Sequence, residues 1–257
     1  MEFTKTILPL SKINEIGDAK LSGNDLEFFK RVWATNFDVY SERLEAICFN
    51  GKKRILDAGC GFGQWSVALA LKNGNIDALD CSKERVDALE AIASLLGLGN
   101  IKTHYGTIEN LPFNEETYDA IYCYSSIYFT DVKKTIEEFA RVLKPNARLY
   151  LSTNGVGWYL HNLIEGHNDS NHFDSRAMAI NAIVESLNYY SSDYQNISQL
   201  ITPSKFLRKL LLEYGFEIID LRPDGKIVLN SESKPKSFYP ESYYGLEGVY
   251  EIVAEKK

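Results

Sequence analysis

The sequence predicts an α/β fold in which a mostly parallel sheet is flanked by helices. Three observations predict it. Between residues 54 and 153, short apolar runs alternate with stretches of helical periodicity, the pattern of strands joined by helical crossovers. The first run ends in an acid and enters a turn with glycine at every second position, Gly59, Gly61 and Gly63. The second run also ends in an acid, Asp80, 17 residues beyond Gly63. At 257 residues and 45% apolar content, the chain buries one sizeable core, so a single domain spanning 1–257 is expected.

Composition excludes several classes of function. A net charge of −7 gives no general attraction to nucleic acid or to an anionic membrane. No apolar stretch is long enough to span a bilayer, and the first residues lack a signal-peptide pattern, so a cytoplasmic location is expected. Cys48, Cys60, Cys81 and Cys123 show no Cys-x-x-Cys spacing; they read as small buried thiols, with neither a metal site nor a disulfide framework.

Residues 1–50 form an N-terminal helical cap. Leu26, Phe29, Trp33, Phe37, Tyr40, Leu44 and Ile47 recur at three- and four-residue steps, lining one face of a helix pair. Arg54 to Ala58 is the first strand, followed by the glycine turn and a helix over Gln64 to Lys72. Glycine suits such a turn because it accepts positive φ and lets a ligand approach the backbone. The dinucleotide fingerprint Gly-x-Gly-x-x-Gly fails in both frames, its third position falling on Gln64 or Ser66, which disfavours a nicotinamide dehydrogenase.

What fits is Asp-x-Gly-x-Gly-x-Gly, Asp57 to Gly63, which resembles motif I of the class I S-adenosylmethionine-dependent methyltransferases. The resemblance implies a Rossmann-like sheet of seven strands, mostly parallel with the last antiparallel, and S-adenosyl-L-methionine as cofactor, leaving S-adenosyl-L-homocysteine. It assigns the donor to Asp57, Gly59, Cys60, Gly61 and Gly63, and makes 52–153 the cofactor-binding core. An N-terminal helix often closes over the ligand in that family, which makes Tyr40 and Arg43 contacts to the donor's carboxylate or to the substrate.

Asn75 to Asp80 is the second strand, and the Asp80 carboxylate, with Cys81 beside it, is placed to accept hydrogen bonds from the two hydroxyls of a ribose. Its bland alternative is to cap the next helix, Lys83 to Leu96, which stops at Gly97 to Gly99. Ile101 to Tyr105 is the third strand. In the resembled family the segment after it reads the adenine edge, here Thr107, Ile108 and Glu109, with Thr107 standing where an Asp is common.

Tyr118 to Ser126 is the fourth strand, whose end faces the reacting methyl group in the family. Tyr124-Ser125-Ser126-Ile127 lacks both the Asn/Asp-Pro-Pro-aromatic phrase of amino-methylating enzymes and the carboxylates of magnesium-dependent ones. Trp65 and Tyr124 are candidates to attract a sulfonium by cation–π contact. A helical stripe of Val132, Ile136, Phe139 and Leu143 stops at Lys144-Pro145-Asn146 before strand five, Arg148 to Ser152.

Residues 154–201 then break the alternation, with five acids against the single Arg176 and a concentration of aromatics. The segment reads as a helical substrate lid suited to a neutral or cationic small molecule. His161, His167 and His172 lie here; each reads first as a polar loop residue, and by type each is a candidate base. Substrate contacts are assigned to Tyr128, Trp158, Tyr159, Tyr189, Tyr190 and Tyr243. Residues 202–257 supply a last helix, with Phe206, Leu207, Leu210, Leu211 and Tyr214 giving its buried side, strand six from Phe216 to Leu221, and an apolar terminal strand, Gly248 to Ala254. Between these strands, 230–245 is rich in Ser, Pro and Tyr and reads as a mobile or surface loop.

The expected function is metal-independent methyl transfer to an O or N atom, or a C atom, of a small metabolite, sugar or natural-product intermediate, by a monomer or homodimer. A peptide or protein N-methyltransferase and a non-catalytic S-adenosylmethionine-binding partner subunit are the alternatives.

Overall fold

The structure is a computed structural model that describes residues 8–191 and 197–257; Asp193 and Tyr194 of the expected lid lie outside the described residues. The N-terminal segment forms α1 (Leu10–Lys20), α2 (Gly23–Trp33) and α3 (Asp38–Ala46), so the expected helix pair is preceded by a further helix. The alternating part follows as β1 (Arg54–Ala58), α4 (Gln64–Ala70), β2 (Asn75–Asp80), α5 (Lys83–Leu96), β3 (Ile101–Tyr105), β4 (Tyr118–Tyr124), α6 (Val132–Val142) and β5 (Leu143–Asn154). Then come α7 (Val156–Glu165), α8 (Ser175–Ser191), α9 (Ser204–Glu213), β6 (Phe216–Pro223), the short β7 (Ser242–Tyr243) and β8 (Leu246–Glu247), and β9 (Val249–Lys256).

Local chemistry sets the boundaries. Ser82 Oγ accepts from Arg85 N–H to cap α5, and Gly97 ends that helix in the left-handed region. Asp131 accepts from the N–H groups of Lys133 and Lys134 to open α6. Leu143, expected as the last residue of the α6 stripe, instead starts β5 and pairs with Tyr118; Asn146 then turns the chain at φ 62°. Asparagine tolerates that conformation, which is why the strand recovers its register at Arg148 opposite Ala120.

The strands run β3-β2-β1-β4-β5-β9-β6. β1 to β5 are parallel, and β9 lies antiparallel to both β5 and β6, with Leu149 opposite Ala254 and Leu221 opposite Ile252. Both faces are covered: Ile55 packs with Phe29, Trp33, Leu44 and Tyr122 on one side, while its neighbour Leu56 packs with Phe139, Leu149 and Leu207 on the other. Alternate side chains of a strand point to opposite faces, and parallel strands buried twice read as continuous apolar runs. The order reverses between β1 and β4, and the carboxyl ends of these strands form the crevice where such sheets bind ligands.

The expected mobile or surface loop, 230–245, does lie largely at the surface, and together with 224–229 it forms a strap pinned by hydrogen bonds. Leu229 and Asn230 donate their N–H groups to Ala46 O at 2.7 and 3.1 Å, fastening the strap to α3. Ile227 N–H donates to Glu251 at 2.9 Å, and the Asp224 carboxylate accepts from Phe238 N–H at 2.6 Å and Tyr239 N–H at 3.3 Å. Serine, proline and tyrosine composition suggested exposure; buried carboxylates receiving backbone donors supply the order.

Candidate functional site

The glycine turn stands between β1 and α4, and its glycines have three different reasons to be glycine. All three have positive φ. A Cβ on Gly59 would lie 2.4 Å from Ser126 Oγ, and one on Gly63 would lie 2.3 Å from Leu89. One on Gly61 would meet nothing within 4 Å, so that edge is open to a ligand. The turn is tied to the end of β2 because Gly59 and Cys60 N–H both donate to Leu79 O, at 2.8 and 2.9 Å.

Asp80 joins the glycine turn to the start of α5. Its Oδ1 accepts from Ser82 N–H and its Oδ2 from Gly61 N–H, each at 2.9 Å, so the carboxylate is fixed beside the open glycine with further lone pairs unused. Asp57 is different. It is buried behind the turn, accepts from Ser66 Oγ at 2.5 Å, and is pushed up to about 7 by burial, with the nearby Asp80 charge acting in the same direction. Cys60 is buried as well, and burial pushes its thiol up, whereas Cys81 is exposed.

Beyond β3, Thr107 Oγ1 donates to Glu109 Oε2 at 3.1 Å, and Glu109 Oε1 accepts from Asp131 N–H at 2.7 Å. Glu109 therefore ties this segment to the start of α6, while Ile108 is in the core. On the other flank, Trp65 is packed against Tyr40, Tyr122 and Tyr124 with ring centroids 4.8 to 5.0 Å apart. Trp65 Nε1 and Gln64 Oε1 are buried without a hydrogen-bond partner. Gln64 was not anticipated from the sequence; a polar residue following a Gly-x-Gly turn is the signal that marks it.

Arg43 is buried rather than presented to the crevice. Its Nη2 donates to Asp224 at 2.7 Å, Glu251 at 2.8 Å and Tyr150 Oη at 3.3 Å, and its guanidinium lies 4.8 Å from the Phe238 ring centre and 5.6 Å from that of Tyr124. The residue expected to contact the donor's carboxylate or the substrate thus joins α3, β5, β9 and the strap through two buried carboxylates, Asp224 and Glu251 of β9. Tyr40 likewise gives its hydroxyl to Val32 O at 3.0 Å.

The expected acceptor residues separate into two groups. Tyr128 is buried at the end of β4 beside Asn154, which also faces Tyr159, and Tyr239 of the strap lies close enough to raise the Tyr128 phenol further. Tyr159, Tyr189 and Tyr190 have their hydroxyls engaged in holding the insertion: to Leu200 O at 2.9 Å, Asp131 at 2.8 Å and Ile201 O at 2.7 Å. Trp158 packs beside Tyr159. Asn154 and the strap residues Asp224 and Phe238 were missed from the sequence, the first for want of a motif, Asp224 because Pro-Asp-Gly reads as a turn, and Phe238 because it lies in the Ser-, Pro- and Tyr-rich stretch.

The three histidines are not brought together. His161 stacks on Tyr243 at 4.3 Å and lies 4.9 Å from His167, at the junction of α7 with the β7–β8 hairpin. His172 is 3.8 Å from Glu27 of α2, joining the insertion to the N-terminal helices. Among the described residues, no three His, Cys, Asp or Glu side chains form a set able to hold a metal ion. No described helix is long and apolar enough to cross a membrane.

Residues 55–146 match the methyltransferase-domain family. The chain carries a methyltransferase domain. The matched stretch spans the glycine turn, Asp80, Glu109 and the end of β4. Among curated relatives, an uncharacterized methyltransferase, YcgJ of Bacillus subtilis, is 36% identical over 38% of this chain and 39% of its own length. The O-methyltransferase resE of Aspergillus sclerotiorum is 30% identical over 39% of each chain. The chain thus aligns with about two fifths of the length of these relatives. Two solved structures share the fold more widely: a geranyl diphosphate methyltransferase in complex with S-adenosylmethionine (TM-score 0.62, 17% identity, 94% of both chains) and the [4+2]-cyclase SpnF (TM-score 0.59, 18% identity, 87% of this chain and 82% of that one).

Proposed function

We propose that the protein transfers a methyl group from S-adenosylmethionine, without a metal, to an O or N atom, or a C atom, of a small metabolite, sugar or natural-product intermediate in the cytoplasm. The observation that carries the donor half of this reading is the open edge of Gly61 beside the fixed Asp80 carboxylate. A ribose brings two hydroxyl donors to such a place, and the turn leaves room for the rest of the ligand.

In this reading Asp80 and Gly61 hold the ribose, Thr107 to Glu109 the adenine, and Trp65 with Tyr124 the sulfonium side. The donor supplies an activated methyl group when bound. The chain's contribution is then to align and dry the acceptor, a contribution of several kcal/mol. Tyr128 and Asn154 at the ends of β4 and β5 would orient it. Their uncharged, aromatic surroundings support a small neutral or cationic acceptor in preference to a polyanion.

Calorimetric titration with S-adenosylmethionine, S-adenosylhomocysteine and NAD tests the donor assignment. Micromolar binding of the first two and none of NAD is expected; binding of NAD alone overturns it. Incubation with methyl-labelled donor and panels of small molecules and peptides then tests the acceptor class. Donor binding without transfer to any acceptor would move the protein toward the non-methylating chemistry that the cyclase shows this fold to accommodate.

A further inference from the structure

Helix α8 leaves an apolar seam on the surface. Ile180, Val184 and Leu187 are 51, 51 and 67% exposed, and Ala177 and Ser191 extend the same line at both ends. The opposite side of the helix, Ala179, Ala182, Ser186 and Tyr189, is buried. We propose that this seam is an interface with a second copy of the chain, the two α8 helices packing antiparallel about a two-fold axis beside Val184.

The spacing identifies the kind of occupant. Positions 177, 180, 184, 187 and 191 alternate steps of three and four, which keeps a narrow line of side chains facing a neighbouring helix. The order of sizes specifies a copy of itself. Read from either end, the line runs small, large, valine, large, small, so reversing one helix against the other sets Ala177 against Ser191 and Ile180 against Leu187. That is the self-complementarity an isologous two-fold contact requires.

Charge leads to the same occupant. The helix carries only Arg176 and Glu185, and both are engaged elsewhere: Arg176 Nη1 donates to Asp169 at 2.6 Å, and Glu185 accepts from Ser198 and Gln199 N–H at 2.7 and 3.1 Å. The seam is therefore neutral in a chain of net charge −7, and two copies meet there without the repulsion they feel elsewhere. A membrane surface is the poorer fit. Interfacial helices present a wide apolar face with Trp or Phe and a flank of Lys and Arg; this seam has no Trp or Phe, the hydroxyl of the neighbouring Tyr190 is turned back to Ile201 O, and the one base beside it, Arg176, is paired with Asp169.

Sedimentation velocity of the full chain over about 1 to 100 μM tests the proposal, since one helix pair is a small interface and the dimer should form in this range. The sedimentation coefficient is expected to rise from monomer to dimer with concentration. Leu187→Glu should raise the dissociation constant at least about tenfold, with unchanged circular dichroism. Val184→Cys, in a background with Cys48 and Cys81 replaced by Ser, should cross-link the dimer under mild oxidation, which keeps the proposal open to test if Leu187→Glu folds poorly. A monomer throughout the range, or a dimer that survives Leu187→Glu and fails to cross-link through residue 184, overturns it. So does a monomer whose binding to phosphatidylcholine vesicles is lost in Leu187→Glu, which would assign the seam to lipid.

Discussion

The proposed donor side and the proposed acceptor side of the crevice are built by different means. Around the glycine turn, order comes from the backbone: positive φ at three glycines, two N–H groups shared on Leu79 O, and one carboxylate joining Gly61 to Ser82. Around the strap and the insertion, order comes from side chains that meet across the chain: Arg43 with Asp224 and Glu251, Tyr250 Oη on Thr202 O, and Thr153 with Thr202. Backbone order of the first kind is local and survives changes of neighbouring side chains. Order of the second kind depends on each partner, so one substitution can release a whole segment.

The sharpest way to break this contrast is Arg43→Met. Removing the guanidinium leaves Asp224 and Glu251 buried without their counter-ion, and a loss of about 3 to 5 kcal/mol is expected in urea unfolding. A loss below about 1 kcal/mol would mean that backbone bonds alone hold the strap.

The donor side has its own buried charge, and pH exposes it. Asp57 titrates near 7 in the folded chain, against about 4 when unfolded, so between these values the native state holds a proton that the unfolded state has lost. This contribution to stability is full below pH 4 and declines as pH rises to 7, by at most about 4 kcal/mol. Asp57→Asn should remove that decline, seen by comparing urea midpoints at pH 5 and pH 8; an unchanged pH dependence would show that Asp57 stays ionised. The smallest of the three effects belongs to Asp80→Ala, expected to weaken S-adenosylmethionine binding at least about tenfold. Unchanged affinity would leave Asp80 with capping alone and weaken the claim that this side is built around a ligand.

How much could be read beforehand follows the same division. The succession of strands and helices and the glycine turn were legible because their rules are local: an apolar run, an acid, glycines at fixed steps, a helix stripe. Leu143 was misplaced by one such rule, since it fits the α6 stripe and yet pairs with Tyr118. The strap was not legible. Nothing near Asp224 in sequence announces that its carboxylate will receive Phe238 and Tyr239 N–H while binding an arginine 181 positions away. Arg43 was assigned to a ligand for the same reason, and the histidines were grouped by proximity in sequence although the fold sends His172 to Glu27 and His161 to Tyr243.

The antiparallel insertion of β9 has a consequence for how the molecule comes together. One edge of β5 pairs with β4, but its other edge must wait for a partner about a hundred positions further along, whereas β1 to β4 find theirs within 65 positions. Closing long loops before contacts repay them slows folding. The donor half can therefore collapse first, with the edge of β5 uncovered and open to strands of other chains until 249–256 arrives. Weakening β9 should then show itself less as lost ligand binding than as slower refolding and a greater tendency to aggregate on the way.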